Sequence, residues 1–500
     1  IVTGSDRPEA VRKLAAALEA TQIWGVDTNV EYLRHIVKSE MFVDAAYSTT
    51  TLDTFEFHPA AIQVLDPGSL TTIQDFPGRI GYWRVGIPPS GPMDNYSFRI
   101  ANKILGNDLQ DAGLECTSAG PTLRFLCNTT IAIVGPPAEH KLDGVSIPLS
   151  TAIHIKPDQT LSLAAPTSGL RIYLAVKGGI QAPQVFGSRA TFALGHLGGL
   201  SGRELRKDDI LPINKIQDQV DAIRPDKPLL LPMRSRPWTL RVMAGPHAYP
   251  DFFAREDFES LFSEPWKVHY NSNRIGVKLV GPKPTWARKD GGEAGLHPSN
   301  IHDSPYSIGS ISFTGDEAVI LTCDGPSLGG FIVFATVITS EMWKIGQMTP
   351  GDEVMLCPIT SVQAITLGEE LQQSISTLTD LPTSTLNPTI VDPVVGRIEN
   401  FNRKIICRQA GDSALLLEFG SDTFDLRTSF HIHTLIKQLS LTPSPSILEL
   451  SPGVRSLHVS YTPSVSQAKI ISLLTALDLS IGANLPKSVP SRTLHLPIVF

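Results

Sequence analysis

From Ile62 onward the chain is built of short apolar runs that Gly and Pro residues separate. Examples are AIQVLDPG, TIAIVGPP, AIHIKP, RIYLAVKGGI, AVILTCDG and EVMLCPI. Strands of this length and spacing are typical of barrels and sandwiches, whereas βαβ units would place helical patterns between them. The 39 Gly and 39 Pro residues supply the turns that such a chain needs. We therefore predict a mainly β protein with α+β parts.

Length and charge restrict the class of protein further. The 500 residues exceed what one hydrophobic core usually serves, so about two to four domains are expected. A net charge of −7 argues against a nucleic-acid partner, which would need a basic face. No apolar run approaches the ~18 residues of a membrane span. The first residues, IVTGSDRPEA, are unlike a signal peptide, and we expect both ends to lie within a longer polypeptide.

The cysteine pattern bears on the compartment. Five cysteines are present, an odd number, and no two of them form a C-x-x-C pair. This pattern disfavours a zinc site or a disulfide framework. We therefore predict a reducing, cytoplasmic location.

Helical patterns accompany the strands. Two helices are predicted between Arg7 and Lys38, and one from Met93 to Leu105 with Asp94 or Asn95 as its cap. A fourth helix is expected near Asp251 to Phe262. The first two helices have no sheet of their own, so they are expected to belong to an upstream domain.

The β-rich region divides into parts. One half closes near Pro212, and a second opens at Leu240 and closes near Ile359, each ending on a Gly, a charged turn with Asp and an apolar strand. This hints at a duplicated barrel. A Ser/Thr/Pro-rich stretch, residues 372–389, predicts a linker. The order ββαββα after Val391 fits a small α+β sandwich.

The densest group of polar side chains falls between Gly291 and Gly330. It consists of His297, Asn300, His302, Asp303, Asp324, Gly329 and Gly330. Glycines let the backbone approach a ligand closely, while acids, bases and amides orient a substrate and move protons. The pattern favours a pocket for a small polar substrate, and a solvated loop with structural glycines is the alternative.

Several strings match a known family in order. They are VLDPGSLTTIQDFPGRIGYWRVGIPPSGPMDNYSFRIANKILGN, GGIQAPQVFGSRATFALGHLGGLSGRELRKDDIL, NRIGVKLVGP, GGEAGLHPSNIHD, DGPSLGGF, GDSALLLEFG and GVRSLHVSYTP. Together they resemble the carboxyltransferase domain of urea carboxylase and, more distantly, the bacterial 5-oxoprolinase and kinase-inhibitor subunit pair. The first ~55 residues resemble the end of a biotin carboxylase domain.

The resemblance implies a fold and an activity. It implies tandem cyclophilin-like β-barrels, followed by a small α+β sandwich, in an enzyme that moves the carboxyl group of carboxybiotin to urea and yields allophanate. Biotin would sit on a carrier domain, and ATP and bicarbonate at a biotin carboxylase site, both outside this chain. The predicted segments are 1–58 (end of the biotin carboxylase domain), 59–215 and 216–371 (the two barrel halves), 372–390 (linker) and 391–500 (start of a second subunit-like unit).

The resemblance suggests roles for the polar side chains between Gly291 and Gly330. Asp303 is the first candidate for binding urea, because a carboxylate accepts two N–H bonds from a flat amide and can then take a proton. His297 and His302 are candidates for base or orienting roles, with structural histidines or a weak zinc site as alternatives. Asn300 can exchange hydrogen bonds with urea or cap a turn.

Further candidates lie elsewhere. Lys177 and Arg189 are candidate donors to an oxyanion or to the transferred carboxyl group, with surface ion pairs as the alternative. Asp324 either faces the pocket or braces its turn. Gly329 and Gly330 are expected to let backbone approach the substrate. No metal ion is expected in the site.

Two rival functions remain. One is a 5-oxoprolinase-like subunit, which shares the barrels but lacks the biotin carboxylase tail. The other is a non-catalytic cyclophilin-like module that binds and regulates a partner.

Overall fold

The computed structural model describes residues 1–21, 23, 28–55, 57, 59–214, 237–382, 386–400, 403–420, 425–441, 443–481 and 492–497. Three β-rich units follow an N-terminal helical segment. Within these ranges, no helix is both long enough and apolar enough to cross a membrane.

The N-terminal segment is helical. Its helices are α1 Arg7–Ala20, α2 Val30–Lys38 and the short α3 Glu40–Val43. Asp6 caps α1 by accepting the backbone N–H of Glu9. The two predicted helices are confirmed.

The first β unit contains two sheets. Its elements are β1 Ala61–Asp66, β2 Leu70–Gln74, α4 Asn95–Ile104, β3 Gly113–Thr117, β4 Thr122–Phe125, β5 Thr129–Val134, β6 Lys141–Leu142, β7 Val145–Ser146, β8 Ala152–Ile155, β9 Thr160–Ser162, β10 Arg171–Val176 and β11 Ile210–Pro212. One sheet has the order β11-β1-β4-β9-β6-β7 and the other β2-β3-β10-β5-β8. Ile62 and Val64 of the first sheet share a core with Leu114 and Leu174 of the second. The two sheets therefore pack face to face.

Helix α4 agrees with its sequence prediction almost to the residue. Asp94 caps it, accepting the backbone N–H of Ser97 at 2.9 Å, and Gly106 follows its end in a left-handed conformation. The helix covers the sheet that contains β10 and β5.

The second β unit is a closed barrel. Its elements are β12 Trp238–Ala244, α5 Arg255–Ser260, β13 Trp266–Val268, β14 Gly276–Val280, β15 Asn300–Pro305, β16 Ser310–Thr314, β17 Glu317–Leu321, β18 Leu328–Phe331, β19 Val333–Val337, α6 Met342–Gln347, β20 Glu353–Pro358 and α7 Ser361–Thr377. Seven strands close it in the order β12-β19-β16-β17-β14-β13-β20. Phe313 and Phe334 stack in its interior with centroids 4.8 Å apart. Helix α5 is shorter than predicted.

The closing strands of the two units differ in direction. Strand β11 pairs antiparallel with β1, whereas β20 pairs parallel with β12. The two endings share the pattern of a Gly, a charged turn with Asp and an apolar strand, but one closing strand pairs antiparallel and the other parallel. Among the described residues only the second unit closes into a barrel.

The third unit is an antiparallel sheet with two helices. Its elements are β21 Val394–Asn400, β22 Arg403–Gln409, β23 Ala414–Phe419, α8 Leu426–Leu441, β24 Ile447–Pro452, β25 Ser456–Tyr461 and α9 Gln467–Ile481. The strand order is β21-β22-β23-β25-β24. Both helices contribute to one core with the strands. The six predicted elements are present, and β21 is an additional edge strand.

The predicted linker begins too early. Residues Gln372 to Thr377 complete helix α7, which starts with a capping box between Thr360 and Gln363. Helix α7 packs against α4 through Tyr96, whose hydroxyl lies 2.9 Å from the Ser374 hydroxyl. It therefore joins the barrel to the first unit.

Candidate functional site

Strands β15 and β18 form a two-stranded ribbon beside the barrel. Asn300 pairs with Phe331 and Ser304 with Gly329, and the register shifts between these two pairs. Such an irregularity redirects side chains away from regular alternation. The residues that it redirects, Ile301 to Asp303, contain part of the polar cluster that the sequence singled out.

Asn300 and Asp303 present unused polar groups on this ribbon. The carboxylate of Asp303 is exposed. Within the part of the chain that the structure describes, neither its oxygens nor the side-chain amide of Asn300 has a hydrogen-bond partner. Because unpartnered amide and carboxylate groups are free to bind a polar ligand, the ribbon is the candidate site.

The two histidines are already oriented by the protein. The Nε2 atom of His297 lies 3.4 Å from Asp316, and its Nδ1 accepts the backbone N–H of Ser299. The Nε2 atom of His302 lies 3.2 Å from the Glu293 carboxylate. His302 is half-buried beside Asp303, whereas His297 is exposed and held by the Asp316 loop.

The two glycines of β18 differ in their surroundings. A Cβ at Gly329 would overlap the Tyr306 hydroxyl and the ring that carries it, so this glycine makes room for the Tyr306 ring. A Cβ at Gly330 would meet only the Ile301 carbonyl at 3.2 Å and Asp303 Oδ1 at 3.8 Å. Gly330 is therefore the less crowded of the two and lies close to the Asp303 carboxylate, while Gly329 has a packing role.

The ribbon borders the third unit. The backbone N–H of Val454 donates to the Asp303 carbonyl at 3.4 Å, and a Cβ at Gly453 would lie 2.8 Å from Pro305. The turn between β24 and β25 therefore packs against the backbone of Asp303, while the Asp303 side chain stays exposed.

Asp324 lies in a buried ion network instead of the candidate site. Its Oδ2 binds Arg274 Nε at 2.8 Å, and Arg274 Nη1 binds Glu115 Oε1 at 2.5 Å. Burial opposes ionisation of Glu115, but Arg274 and Arg171 outweigh it and hold the pKa of this carboxyl below its ordinary value. The pocket-facing role is thus corrected: the Asp324 carboxylate is held by Arg274, which also binds Glu115 and so links the barrel to the first unit.

Lys177 and Arg189 also have structural contacts. Lys177 Nζ donates to the Leu105 carbonyl at 2.5 Å, at the C-terminal end of α4, where a cation is favourable. The backbone N–H of Arg189 donates to Asp75 Oδ2 at 2.6 Å. Both residues belong to the first unit, and the structure does not bring them to the ribbon.

A large cavity lies where the three units and α7 meet. Its volume is about 890 Å³, and its lining includes Phe76, Arg79, Ser90, Arg99, Ser307, Thr339, Ser340, Gly368, Asp412 and His458. None of the predicted site residues lines it. Sequence reasoning missed it because the end of α7 was placed in a linker, although the T-x-x-Q capping box predicts a helix start at Thr360.

The described ranges contain no group of three or more His, Cys, Asp or Glu side chains that could hold a metal ion. The weak zinc alternative at His297, His302 and Asp303 therefore lacks geometric support.

A closed barrel, a packed pair of sheets and a trailing α+β unit define a class of protein. Residues 85–358 match the family described as carboxyltransferase domain, subdomain A and B, which is more than half of the chain. The chain belongs to this carboxyltransferase family. Residues 405–500 match carboxyltransferase domain, subdomain C and D, and residues 1–54 match the biotin carboxylase C-terminal domain.

Relatives extend the match over the whole chain. The urea amidolyase of Saccharomyces cerevisiae is 43% identical over 514 residues, covering 100% of this chain and 28% of that protein. The crystal structure of the K. lactis urea amidolyase has a TM-score of 0.90 at 43% identity, covering 96% of this chain and 30% of that one. A 5-oxoprolinase subunit from Escherichia coli is 30% identical, covering 62% of this chain and 96% of that protein.

These comparisons confirm the resemblance to urea carboxylase that the sequence motifs indicated. The chain spans under a third of the length of the two urea amidolyases that it matches. The match to the 5-oxoprolinase protein stops well short of the whole chain.

Proposed function

We propose that this chain is the carboxyltransferase part of a biotin-dependent urea carboxylase and transfers a carboxyl group to urea, giving allophanate. The observation that carries the proposal is the pair Asn300 and Asp303, whose side chains have no partner among the described residues. Identity of 43% with a urea amidolyase over the entire chain supports it. The partners would be a biotin carboxylase domain, which uses ATP and bicarbonate, and a carrier domain that holds biotin, both on the same polypeptide.

The cluster suits a flat diamide. The Asp303 carboxylate can accept two N–H bonds from urea, while the Asn300 amide donates to the urea oxygen. Urea nitrogen is a poor nucleophile, so Asp303 takes a proton from it as the new bond to carbon forms. The half-buried His302, held by Glu293, positions this end of the ribbon.

A biotin ring would approach Asp303 over Gly330, which has no side chain and whose added Cβ would lie 3.8 Å from Asp303 Oδ1. When bound, biotin supplies the carboxyl group that is transferred.

We propose the domain organisation of the same carboxyltransferase for this chain. The pair of sheets and the barrel would be diverged cyclophilin-like halves, bounded as 59–215 and 216–371, between a biotin carboxylase tail and a second subunit-like unit. In support, each half ends on a strand that returns to its opening strand. A regulatory binding module and a 5-oxoprolinase-like protein are less favoured, because neither accounts for the match of residues 1–54.

The decisive experiment uses a chimera in which this chain replaces the matched segment of the Saccharomyces cerevisiae urea amidolyase. Asp303→Asn keeps the size of the side chain and removes its basicity. We expect urea-dependent carboxylation to fall by about 100-fold or more, with carboxylation of biotin unchanged. The readouts are incorporation of labelled bicarbonate into product and ADP release with and without urea.

Asp316→Asn is the matched control, because Asp316 is another exposed carboxylate, whose contacts are with Trp286 and with His297, to which the proposed mechanism assigns no step. It should leave turnover within about twofold. Urea turnover in Asp303→Asn equal to that of the control would remove Asp303 from the mechanism.

A further inference from the structure

Arg288 contacts the residue that the proposed function places at the urea oxygen. Its Nη1 atom donates to the backbone carbonyl of Asn300 at 2.8 Å and to that of Pro298 at 3.2 Å. Asn300 is the first residue of strand β15. Because a charged donor makes a stronger hydrogen bond than a neutral one, Arg288 fixes the backbone from which the Asn300 side chain extends.

The Arg288 side chain is itself held in place by one loop. One residue before it, the backbone N–H of Ala287 donates to the Phe252 carbonyl at 3.0 Å. The guanidinium lies over the Phe252 ring, with Cζ 5.3 Å from the ring centroid. This is a cation–π contact. Since both its backbone and its guanidinium are anchored on Phe252, Arg288 is a firm support for Asn300.

The Phe252 ring is in turn attached to the barrel. His247 meets it edge-on, with ring centroids 5.2 Å apart. The Nδ1 atom of His247 accepts the backbone N–H of Val333, the first residue of β19, at 3.0 Å. Burial lowers the pKa of His247 to about 3, so this imidazole is neutral at physiological pH and does not repel the guanidinium.

Arg288 has few other polar contacts. Among the residues that the structure describes, it forms no ion pair, and its Nε and Nη2 atoms have no acceptor. The side chain is half-buried. Its hydrogen bonds within the described ranges therefore go to the turn before β15 alone, and support of this turn is the role that its contacts indicate.

The rest of the turn is also fixed through its backbone. The N–H of Asn300 donates to the His297 carbonyl at 2.8 Å, and the N–H of Ile332 donates to the Ser299 carbonyl at 3.0 Å. With the two bonds from Arg288, the backbone of the turn is held at each of its residues, while the Asn300 amide is left to bind a ligand. Such an arrangement preorganises a binding group.

We propose that Arg288 is a positioning residue for urea: it fixes the Asn300 amide in the direction that donation to the urea oxygen requires. It thereby sets the affinity for urea and takes no part in the proton transfer at Asp303. This inference rests on the proposed function, because that function assigns Asn300 its contact with urea.

Steady-state kinetics of the chimera with the Saccharomyces cerevisiae urea amidolyase, at saturating ATP and bicarbonate, test the assignment. Arg288→Met removes the donors and keeps a long apolar side chain over Phe252. We expect the KM for urea to rise about tenfold, with kcat within about threefold and carboxylation of biotin unchanged. Arg288→Lys should keep the KM within about threefold of wild type, because one nitrogen makes both bonds and an ammonium group has the hydrogens for them.

A double-mutant cycle separates action through Asn300 from a general effect. Asn300→Ala should raise the KM for urea by about tenfold or more. Adding Arg288→Met to it should cause no further rise, because no amide is left to position. Additive rises would overturn the role of Arg288.

Arg255→Met is the matched control. Arg255 also lies over an aromatic ring, 5.8 Å from the Tyr249 centroid, but its Nε donates to Glu259 on helix α5 instead of to the turn. The KM for urea should stay within about twofold of wild type. A rise equal to that of Arg288→Met would show a general effect of losing a surface arginine and overturn the inference.

The outcomes distinguish this inference from the proposed function. An unchanged KM for urea in folded Arg288→Met, beside a raised KM in Asn300→Ala, would overturn the role of Arg288 and leave the proposed function intact. Unchanged urea kinetics in both Asn300→Ala and Asp303→Asn would overturn the proposed function and this inference with it. Thermal unfolding verifies the fold of each variant. If Arg288→Met does not fold, Arg288→Gln, which lacks the charge and the reach, replaces it with the same expected rise.

Discussion

At the scale of single residues, neighbouring positions with the same side chain serve different purposes. Gly329 and Gly330 are adjacent on β18, yet one faces the Tyr306 ring and the other the Asp303 carboxylate. The Tyr306 hydroxyl exchanges hydrogen bonds with the backbone of Phe331, which fixes the ring over Gly329. The string DGPSLGG predicts close backbone approach at both glycines but contains no information on which neighbour approaches.

The pair offers a matched prediction. Gly329→Ala should destabilise the chain by about 1–3 kcal/mol, because its methyl group overlaps a ring that two hydrogen bonds hold in place. Gly330→Ala should cost less than about 1 kcal/mol, because only the Ile301 carbonyl is close. Guanidinium chloride unfolding measures both changes. Equal losses in the two variants would contradict the assignment of Tyr306 as the cause.

The site residues were predictable only where they are local in sequence. Asn300, His302 and Asp303 lie close together because a single bulged strand includes all three. Lys177 and Arg189 contact partners more than 70 residues away in the chain, the Leu105 carbonyl and Asp75. A strand-end Lys looks the same in sequence whether it faces a substrate or the end of a helix.

At the scale of elements, helix α7 connects the barrel to helix α4 of the first unit. It covers a barrel-side cluster of Met243, Ile338 and Ile359 and bonds to α4 through Ser374. Its start is defined by Thr360, whose hydroxyl accepts the backbone N–H of Gln363, while the Gln363 side chain accepts the backbone N–H of Thr360. The T-x-x-Q pattern in the sequence predicts this reciprocal cap. The Ser- and Thr-rich composition after Gln372 concealed the last turns of the helix.

Loss of this cap should be measurable. Thr360→Ala should lower the free energy of unfolding by about 1 kcal/mol, since it leaves a helix N–H without its acceptor. Thr366→Ala is the control, because Thr366 lies in mid-helix and its hydroxyl bonds to the Val362 carbonyl one turn earlier. It should have no effect or stabilise slightly. A thermal or denaturant scan that ranks Thr366→Ala as the more damaging change would refute the role of the cap.

At the scale of the whole molecule, the third unit docks on the barrel through buried polar pairs. Ser307 donates to the Ala410 carbonyl at 2.7 Å and lies 2.8 Å from His458 Nε2, so the imidazole is the donor to Ser307. Burial lowers the pKa of His458 from 6.5 to about 4. The docked state therefore requires a neutral histidine.

This requirement fixes the sign of a pH effect. The unfolded chain binds a proton at His458 below pH ~6.5, while the folded chain resists protonation until pH ~4. Stability from this group is complete above pH ~6.5 and falls by about 3 kcal/mol as the pH drops through that window. His458→Gln retains a donor and should remove this part of the slope. Unfolding curves of the wild type and the variant at pH 7.5 and 4.5 test this prediction. If the two proteins lose the same free energy of unfolding between these pH values, His458 is not the cause of the pH dependence.

Helix α7 also has a practical implication for anyone dividing this protein. The match to subdomains A and B ends at residue 358, just before α7 begins at Ser361. A truncation placed there would uncover Met243 and Ile338 on the barrel and leave Tyr96 without its hydroxyl partner. Such a product is expected to self-associate through the newly bared hydrocarbon surface. Expression boundaries that retain residues up to Leu378 keep that surface covered.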